Sequence, residues 1–173
     1  MKNFCEFDIN FMLEHAKSHT TMVKSEGGHD IIYSRAGGGK SIKMLDLAVD
    51  CALAGGNPLI ISDEMSVNRI EQLISLLLNH KGIFDVEERR KLTINIDDDF
   101  DGDFDVARFK NKANVYNITD VFIDGIMLMY VQLNCSYKSR LEQIQDTLND
   151  FGKPITMTMA AHDVSCSKVE GVV

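Results

Sequence analysis

A cluster of three glycines between a short apolar run and a long helical stretch is the feature that most constrains the fold of this chain. The run Ile31–Tyr33 is rich in β-forming residues, and Ser41–Ala54 follows the cluster with the apolar spacing of a helix. A strand, a glycine loop and a helix in this order bring backbone N–H groups and the positive end of a helix to one point. The order therefore predicts a cradle for a phosphate group.

Strands and helices are predicted to alternate along the rest of the chain. The strand-like runs are mostly continuous apolar stretches, which is typical of a parallel sheet covered on both faces. They are Leu59–Ile61, Leu92–Ile96, Val121–Asp124 and Ile155–Met159, and helical patterns cover Ser66–Leu78, Val106–Ala113 and Lys138–Phe151. With right-handed crossovers, this order predicts an α/β fold with a doubly wound, mostly parallel sheet and helices on both faces.

The chain divides before the first strand of this predicted sheet. Apolar residues at helical spacing between Asp8 and Lys24 predict an amphipathic helix, and the pair Gly27–Gly28 is expected to end it. We therefore expect residues 1–29 to form an N-terminal helical arm and residues 30–173 to form the core that contains the phosphate cradle.

Composition limits the classes to which the chain can belong. Its 173 residues, of which 45% are apolar, suffice for one domain with a buried core. No apolar run is long enough to span a bilayer, and the start lacks the order of a secretory signal, so we expect a cytoplasmic protein with no membrane partner. The four cysteines form no CxxC pair and the five histidines show no zinc spacing, which disfavours a metal or redox site built from them.

The net charge of −8 disfavours a protein whose main task is to grip nucleic acid, because such proteins usually carry a basic face. Much of the acid lies in the run Asp97–Asp105, which we interpret as a solvated acidic loop. The run lacks the terminal glutamate of an EF-hand, so a calcium loop is disfavoured.

The loop Ser34–Ser41 matches most of the phosphate-binding pattern G-x-x-x-x-G-K-[ST]. Gly39, Lys40 and Ser41 fit the pattern, and Ser34 takes the place of its first glycine. Lys40 is predicted to bridge the β- and γ-phosphates as a point charge, and the Ser41 hydroxyl to bind Mg²⁺. The residues whose backbone is expected to wrap the phosphates are Arg35, Ala36, Gly37, Gly38 and Gly39. The alternative, a flexible glycine turn, is disfavoured by the flanking strand and helix.

Two acidic residues are candidates for holding the metal and for activating water. Asp124 closes an apolar strand, so it is predicted to support magnesium from the end of a neighbouring strand. Glu64 follows the run Leu59–Ser62 and is expected to overhang the carboxyl edge of the sheet, where it would act as a general base. Asp63 competes for that role, and a position at a helix N-terminus explains Glu64 equally well.

Several segments together resemble the ATPase core of DnaB-type replicative helicases. Ser62–Ser66 resembles the S-x-E-M-[SA] segment that follows that family's second strand. Val121–Met129 resembles the family's I-V-I-D-Y-L-Q-L-M, and Lys153–His162 resembles the strand that ends in a phosphate-sensing glutamine. The phage branch, with its T-A-A-Q ending, is the most similar there. The resemblance extends from about Asp30 to His162.

The resemblance implies a RecA-like P-loop ATPase that binds ATP and Mg²⁺, in the host cytoplasm if a phage encodes it. Under it, Lys40 and Ser41 bind phosphate and magnesium, Glu64 polarises the attacking water, and Asp124 supports the metal. His162 takes the position of the sensor glutamine, where its charge would depend on pH. The partners that the family implies are ATP and ADP, single-stranded DNA, further copies of the chain or a DNA-replication protein.

Departures from that family leave two functions open. The family carries a large N-terminal domain and an arginine finger beyond the sensor strand, whereas Lys168 is the only basic residue after Lys153 here. We expect either a minimal helicase-like or replication-accessory ATPase with slow turnover, or a weakly hydrolysing helicase paralog that acts through protein interactions. Lys138 and Arg140 offer few DNA contacts, so any DNA binding is expected to be weak. A small-molecule kinase ranks last, because no lid with paired arginines is evident.

Overall fold

The computed structural model describes residues 6–25, 28–97, 106–125 and 152–160 of the chain. The elements are α1 (Glu6–His19), β1 (Thr21–Lys24), β2 (Asp30–Ser34), α2 (Lys40–Leu53), β3 (Pro58–Ser62), α3 (Val67–His80), α4 (Val86–Arg90), β4 (Asn95–Ile96), α5 (Val106–Val115), β5 (Asp120–Asp124) and β6 (Ile155–Ala160). The predicted helix Lys138–Phe151, most of the acidic run and His162 lie outside the described residues. Among the described helices, none is long and apolar enough to cross a membrane.

The described strands form one sheet in the order β1-β2-β6-β5-β3-β4. β1 runs antiparallel to β2, and each of the other adjacent pairs is parallel. Parallel neighbours need crossover connections, and the described helices α2, α3 and α5 follow β2, β3 and β4 in the chain. The prediction of an α/β fold with a mostly parallel sheet is therefore confirmed.

The direction in which the chain crosses the sheet reverses between β3 and β5. After β3 the chain continues outward to β4, whereas after β5 it proceeds to β6 on the opposite side. Beyond the carboxyl ends of parallel strands, a crevice opens at such a reversal, and ligands of α/β proteins bind there. Ser62 and Asp124 are the paired last residues of β3 and β5, so they mark the floor of this crevice.

Helices α1, α2 and α3 pack against one another, and α2 also contacts β2, β3, β5 and β6. The apolar residues of α2 recur every three or four positions, which directs Ile42, Leu45 and Val49 into the core. Leu73 and Leu77 of α3 belong to the same buried cluster. Burial of each large aliphatic side chain contributes about 1.5–3 kcal/mol, and this packing holds the first turn of α2 at the edge of the sheet.

The segment before β2 differs from its prediction. The helix expected to extend to Lys24 ends at His19, and Thr21–Lys24 forms the antiparallel edge strand β1. A β-branched segment favours a strand when a sheet edge is available to pair with it, an effect that helical periodicity does not reveal. The prediction of helix over residues 21–24 is therefore wrong. α1 also buries Ile9 and Ala16 in the core cluster, so it packs onto the sheet-bearing part of the chain.

Two other elements differ from their predictions. The expected strand Leu92–Ile96 is reduced to Asn95–Ile96, and the short helix α4 was not predicted at all. Asp85 caps α4, because its Oδ1 accepts from the backbone N–H groups of Glu87 at 2.8 Å and Glu88 at 3.0 Å. Since α4 buries no residue, it lacks the apolar spacing by which the longer helices were recognised.

Candidate functional site

The loop between β2 and α2 needs glycine at three consecutive positions. Gly37 and Gly39 have φ angles of 76° and 87°, which side chains other than glycine rarely tolerate. A Cβ at Gly38 would lie 2.6 Å from Ser34 Oγ, and one at Gly39 would lie 2.8 Å from Ala16 Cβ. The turn itself and its close packing against β2 and α1 therefore both require the glycine cluster.

Lys40 and Ser41 begin α2 directly after this loop. Lys40 is only 9% exposed. Gly39 is the N-cap of α2 and has no side chain to accept from the N–H groups of the first turn. The positive end of a helix and a nearly buried lysine thus meet at one cavity, which suits an anion.

Asp124 ends β5 and is fully buried, with 0% of its surface exposed. Its Oδ1 accepts hydrogen bonds from Ser41 Oγ at 3.0 Å and from Thr158 Oγ1 at 2.7 Å. Its Oδ2 accepts from Ser62 Oγ at 3.3 Å. We call these four residues the Asp124 cluster. The fold thus places Ser41 and Asp124, the two predicted magnesium ligands, in direct contact, while their role with the metal stays a prediction.

Thr158 is a member of the Asp124 cluster that the sequence analysis missed. Its hydroxyl donates to Asp124 and accepts from the backbone N–H of Gly125 at 3.0 Å. Thr158 is 0% exposed and lies on β6, the strand inserted between β2 and β5. The available signal in the sequence was a threonine within the otherwise mostly apolar strand Ile155–Ala160. Only the order of the strands reveals that the hydroxyl of this threonine faces an aspartate.

Glu64 lies two residues beyond β3 and overhangs the crevice. Ser62 Oγ accepts from the backbone N–H groups of Glu64 at 3.2 Å and Met65 at 3.0 Å, which orients the turn. A Cβ at Gly125 would lie 2.9 Å from Glu64 Cγ, so the glycine directly after β5 makes room for this side chain. Asp63, the competing candidate, is exposed, as Glu64 is, and its backbone N–H donates to Asp124 O at 3.3 Å.

The pKa of Glu64 is raised above its ordinary value. Partial burial is the largest cause, and the negative charges of Asp124 and Asp63 act in the same direction, while Lys40 opposes them. A carboxylate with a raised pKa is a stronger base than one in water. The electrostatics of the crevice therefore suit the proton-accepting role that the sequence predicts for Glu64.

Two cavities border the loop between β2 and α2, and each is lined by different residues of this loop, except that Gly37 lines both. A cavity of about 590 Å³ has Lys40, Ser41 and Glu64 in its wall. The other described residues that line it are Met12, Gly37, Gly39, Ile42, Met65, Ser66, Arg69 and Leu73. Its volume is within the range of small-ligand sites, about 300–1,000 Å³. The predicted phosphate ligand, metal ligand and base thus face one space.

The second cavity, of about 430 Å³, is lined by the outer side of the loop and by α1. Its described lining residues are His15, His19, Arg35, Ala36, Gly37 and Gly38. His15 Nε2 donates to Gly37 O at 3.1 Å, and its ring stacks on that of His19 with 4.1 Å between centroids. Arg35, Ala36 and Gly38, which were predicted to wrap the phosphates, line this second cavity and not the first. Gly37 borders both.

The residues present fit a magnesium ion only together with a phosphate ligand. No group of three or more His, Cys, Asp or Glu side chains that could hold a metal occurs among the described residues. The Ser41 hydroxyl and the Asp124 carboxylate are nevertheless oxygen ligands of the kind that Mg²⁺ prefers. Because Mg²⁺ commonly takes its other ligands from water and phosphate, this pair suits a metal that arrives with a nucleotide.

Comparisons with known proteins add little to this geometry. No protein-family profile matches the chain, and no curated protein matches it. Among solved structures, the chain is similar to the adenylation domain of a carboxylate reductase from Mycobacterium chelonae, with 11% sequence identity and a TM-score of 0.33. That match covers 94% of this chain and 29% of the other.

Proposed function

We propose that this chain is a RecA/DnaB-like P-loop domain that binds ATP with Mg²⁺ and hydrolyses it slowly. The observation that carries the proposal is the convergence of Lys40, Ser41 and Glu64 on one cavity, with Ser41 hydrogen-bonded to the buried Asp124. A phosphate cradle, a metal-supporting acid and a base are the parts that nucleotide hydrolysis requires. The resemblance to DnaB-type helicases in the segments around these residues supports the assignment to that type.

Each residue has a separate task in this proposal. Lys40 binds the β- and γ-phosphates, and the first-turn N–H groups of α2 donate to the same oxygens. Ser41 and Asp124 hold Mg²⁺, which offsets part of the phosphate charge when it is bound. Glu64 accepts a proton from the attacking water, and its raised pKa favours that transfer. His162 stays the predicted γ-phosphate sensor.

The role that this site serves has two candidates. One is a minimal helicase-like or replication-accessory ATPase that works on single-stranded DNA as an oligomer. The other is a helicase paralog that binds nucleotide, hydrolyses it weakly and acts through a replication partner protein. The net charge of −8 favours the second candidate, because a DNA motor needs cations along the phosphate backbone. Steady-state ATP hydrolysis measured with and without single-stranded DNA separates them, since stimulation by DNA is expected only of the first.

A thermal-shift experiment tests nucleotide binding itself. ATP with Mg²⁺ is expected to raise the melting temperature of the wild type, because a ligand that binds only the native state stabilises it by mass action. Lys40→Ala should abolish the shift. Lys43→Ala is the matched control, since it removes a lysine one turn further along α2 that does not line the cavity. The absence of any shift with millimolar ATP in the wild type would refute the proposed function.

A further inference from the structure

Arg69 is a second cation in the cavity that contains Lys40, and no sequence motif singled it out. It lies in the first turn of α3, five positions after Glu64. Among the described residues that line the 590 Å³ cavity, Lys40 and Arg69 are the two with positive charge. The fold thus brings an arginine of the same chain to the space where the proposed phosphates bind.

One compact turn connects Glu64 to Arg69. Ser62 Oγ accepts from two backbone N–H groups of the turn. Ser66 occupies the N-cap position of α3 with the extended backbone angles φ −69° and ψ 153°, and its side chain makes no capping hydrogen bond. The backbone N–H of Arg69 then donates to Ser66 O at 2.9 Å. Because these bonds fix the turn and the first turn of the helix, the backbone positions from which Glu64 and Arg69 reach the cavity are held relative to each other.

The other arginines with described side chains have different positions. The guanidinium of Arg89 donates to Ile83 O and to Ser75 and thereby ties α4 to α3. Arg90 pairs with Glu87 on the exposed helix α4, and Arg35 lines the second cavity. Among the described arginines, Arg69 is therefore the one that borders the cavity of Lys40 and Glu64.

A further cation beside Lys40 and the proposed Mg²⁺ suits the charge in this cavity, because the triphosphate and Glu64 are both negative. A terminal phosphate group carries roughly two negative charges near neutral pH, and the ionised Glu64 adds one. Lys40 is shared between the β- and γ-phosphates in the proposed site. An arginine also offers a planar fork of donors that matches two phosphate oxygens at once, which a lysine cannot do.

We propose that Arg69 contacts the γ-phosphate of bound ATP and acts as a catalytic residue supplied by the same chain. This inference rests on the proposed ATPase function. In the reaction, a water oxygen bonds to the γ-phosphorus while the bond from phosphorus to the bridging oxygen of ADP breaks. Glu64 accepts a proton from that water, and the products are ADP and inorganic phosphate. Arg69 donates hydrogen bonds to the γ-phosphoryl oxygens and exchanges no proton.

The test compares ATP and ADP binding by titration calorimetry, together with turnover, in the wild type, Arg69→Ala and Arg69→Lys. Loss of a charge-assisted contact to the γ-phosphate should weaken ATP binding or lower turnover by about tenfold or more. ADP affinity should stay within about twofold, because ADP lacks the group that Arg69 contacts. Arg69→Lys should fall between the wild type and Arg69→Ala. Arg90→Ala, which removes an arginine from the exposed helix α4, is the matched control and should match the wild type.

The possible outcomes separate this inference from the proposed function. If the wild type binds ATP in a Lys40-dependent manner and Arg69→Ala equals it in both ATP affinity and turnover, the inference is overturned and the function stands. Equal losses of ATP and ADP affinity would also overturn it, because they indicate a structural role. If Arg69→Ala fails to fold by circular dichroism, Arg69→Lys decides by the same ATP-to-ADP comparison. A wild type that binds neither nucleotide refutes the function and this inference together.

Discussion

Replacement of Thr158 by valine tests whether the Asp124 cluster organises the crevice. Valine has nearly the shape of threonine but lacks the hydroxyl, which donates to Asp124 at 2.7 Å and accepts from Gly125 N–H at 3.0 Å. The substitution leaves a buried carboxylate with one donor fewer and a buried N–H without this acceptor. A hydrogen bond to a charged group contributes about 1.5–3 kcal/mol, and an unsatisfied buried donor costs about 1–3 kcal/mol.

After allowance for the favourable burial of the added methyl group, we expect Thr158→Val to lower the free energy of unfolding by about 2–4 kcal/mol. For a protein of this size the melting temperature should fall by about 5–15 °C. Urea denaturation followed by circular dichroism measures the loss directly. The ATP-dependent thermal shift should also shrink, because Asp124 would no longer be held in place to support the metal.

Two control variants separate loss of the hydroxyl from other effects. Thr158→Ser keeps the hydroxyl and removes one methyl group, so it should cost only about 1 kcal/mol. Thr156→Val makes the same chemical change two positions earlier on β6, where the side chain is half-buried, and should cost about 0.5 kcal/mol or less. If Thr158→Val is as stable as Thr158→Ser or more so, the reasoning about the cluster is wrong.

Four further predictions concern turnover, the proposed base Glu64 and the half-buried thiol of Cys51. The purified chain should hydrolyse ATP well below motor rates of about ten per second, because Arg69, the arginine proposed to contact the γ-phosphate, comes from the same chain, and an arginine in cis supports slower turnover than one supplied in trans; a steady-state assay at that rate would contradict this. Glu64→Gln should lower hydrolysis on the order of a hundredfold while nucleotide binding persists, and the same loss in Asp63→Asn instead would show that the base is misassigned. Because its pKa is raised, mainly by burial, ionised Glu64 destabilises the fold, so Glu64→Gln should raise the melting temperature near pH 8, with the difference vanishing below about pH 4. Burial first, then the hydrogen bond and charge of Asp120, raises the pKa of Cys51 to about 11, so peptide mapping should find it alkylated on the order of a hundredfold more slowly than in the unfolded chain, and faster in Asp120→Asn.

The sequence by itself determined the features that depend on neighbouring residues. The order of strand, glycine loop and helix required only local backbone preferences, so the loop before Lys40 and the start of α2 could be predicted. The mostly parallel sheet followed from apolar strands that alternate with amphipathic helices. The edge strand Thr21–Lys24 could not be found in this way, because four residues form a strand only when β2 offers a partner.

Only the tertiary structure decided which distant side chains meet. Asp124 could be recognised as an acid at the end of one strand, and Glu64 as an acid that follows another strand. The distance between these two side chains depends on the order of the strands in the sheet. Insertion of β6 beside β5 brings Thr158 to Asp124, and the packing of α3 on α2 brings Arg69 to the cavity of Lys40. Neither contact leaves a periodic signal in the sequence, because strand order and helix packing are set by the burial of the whole core and not by any local segment.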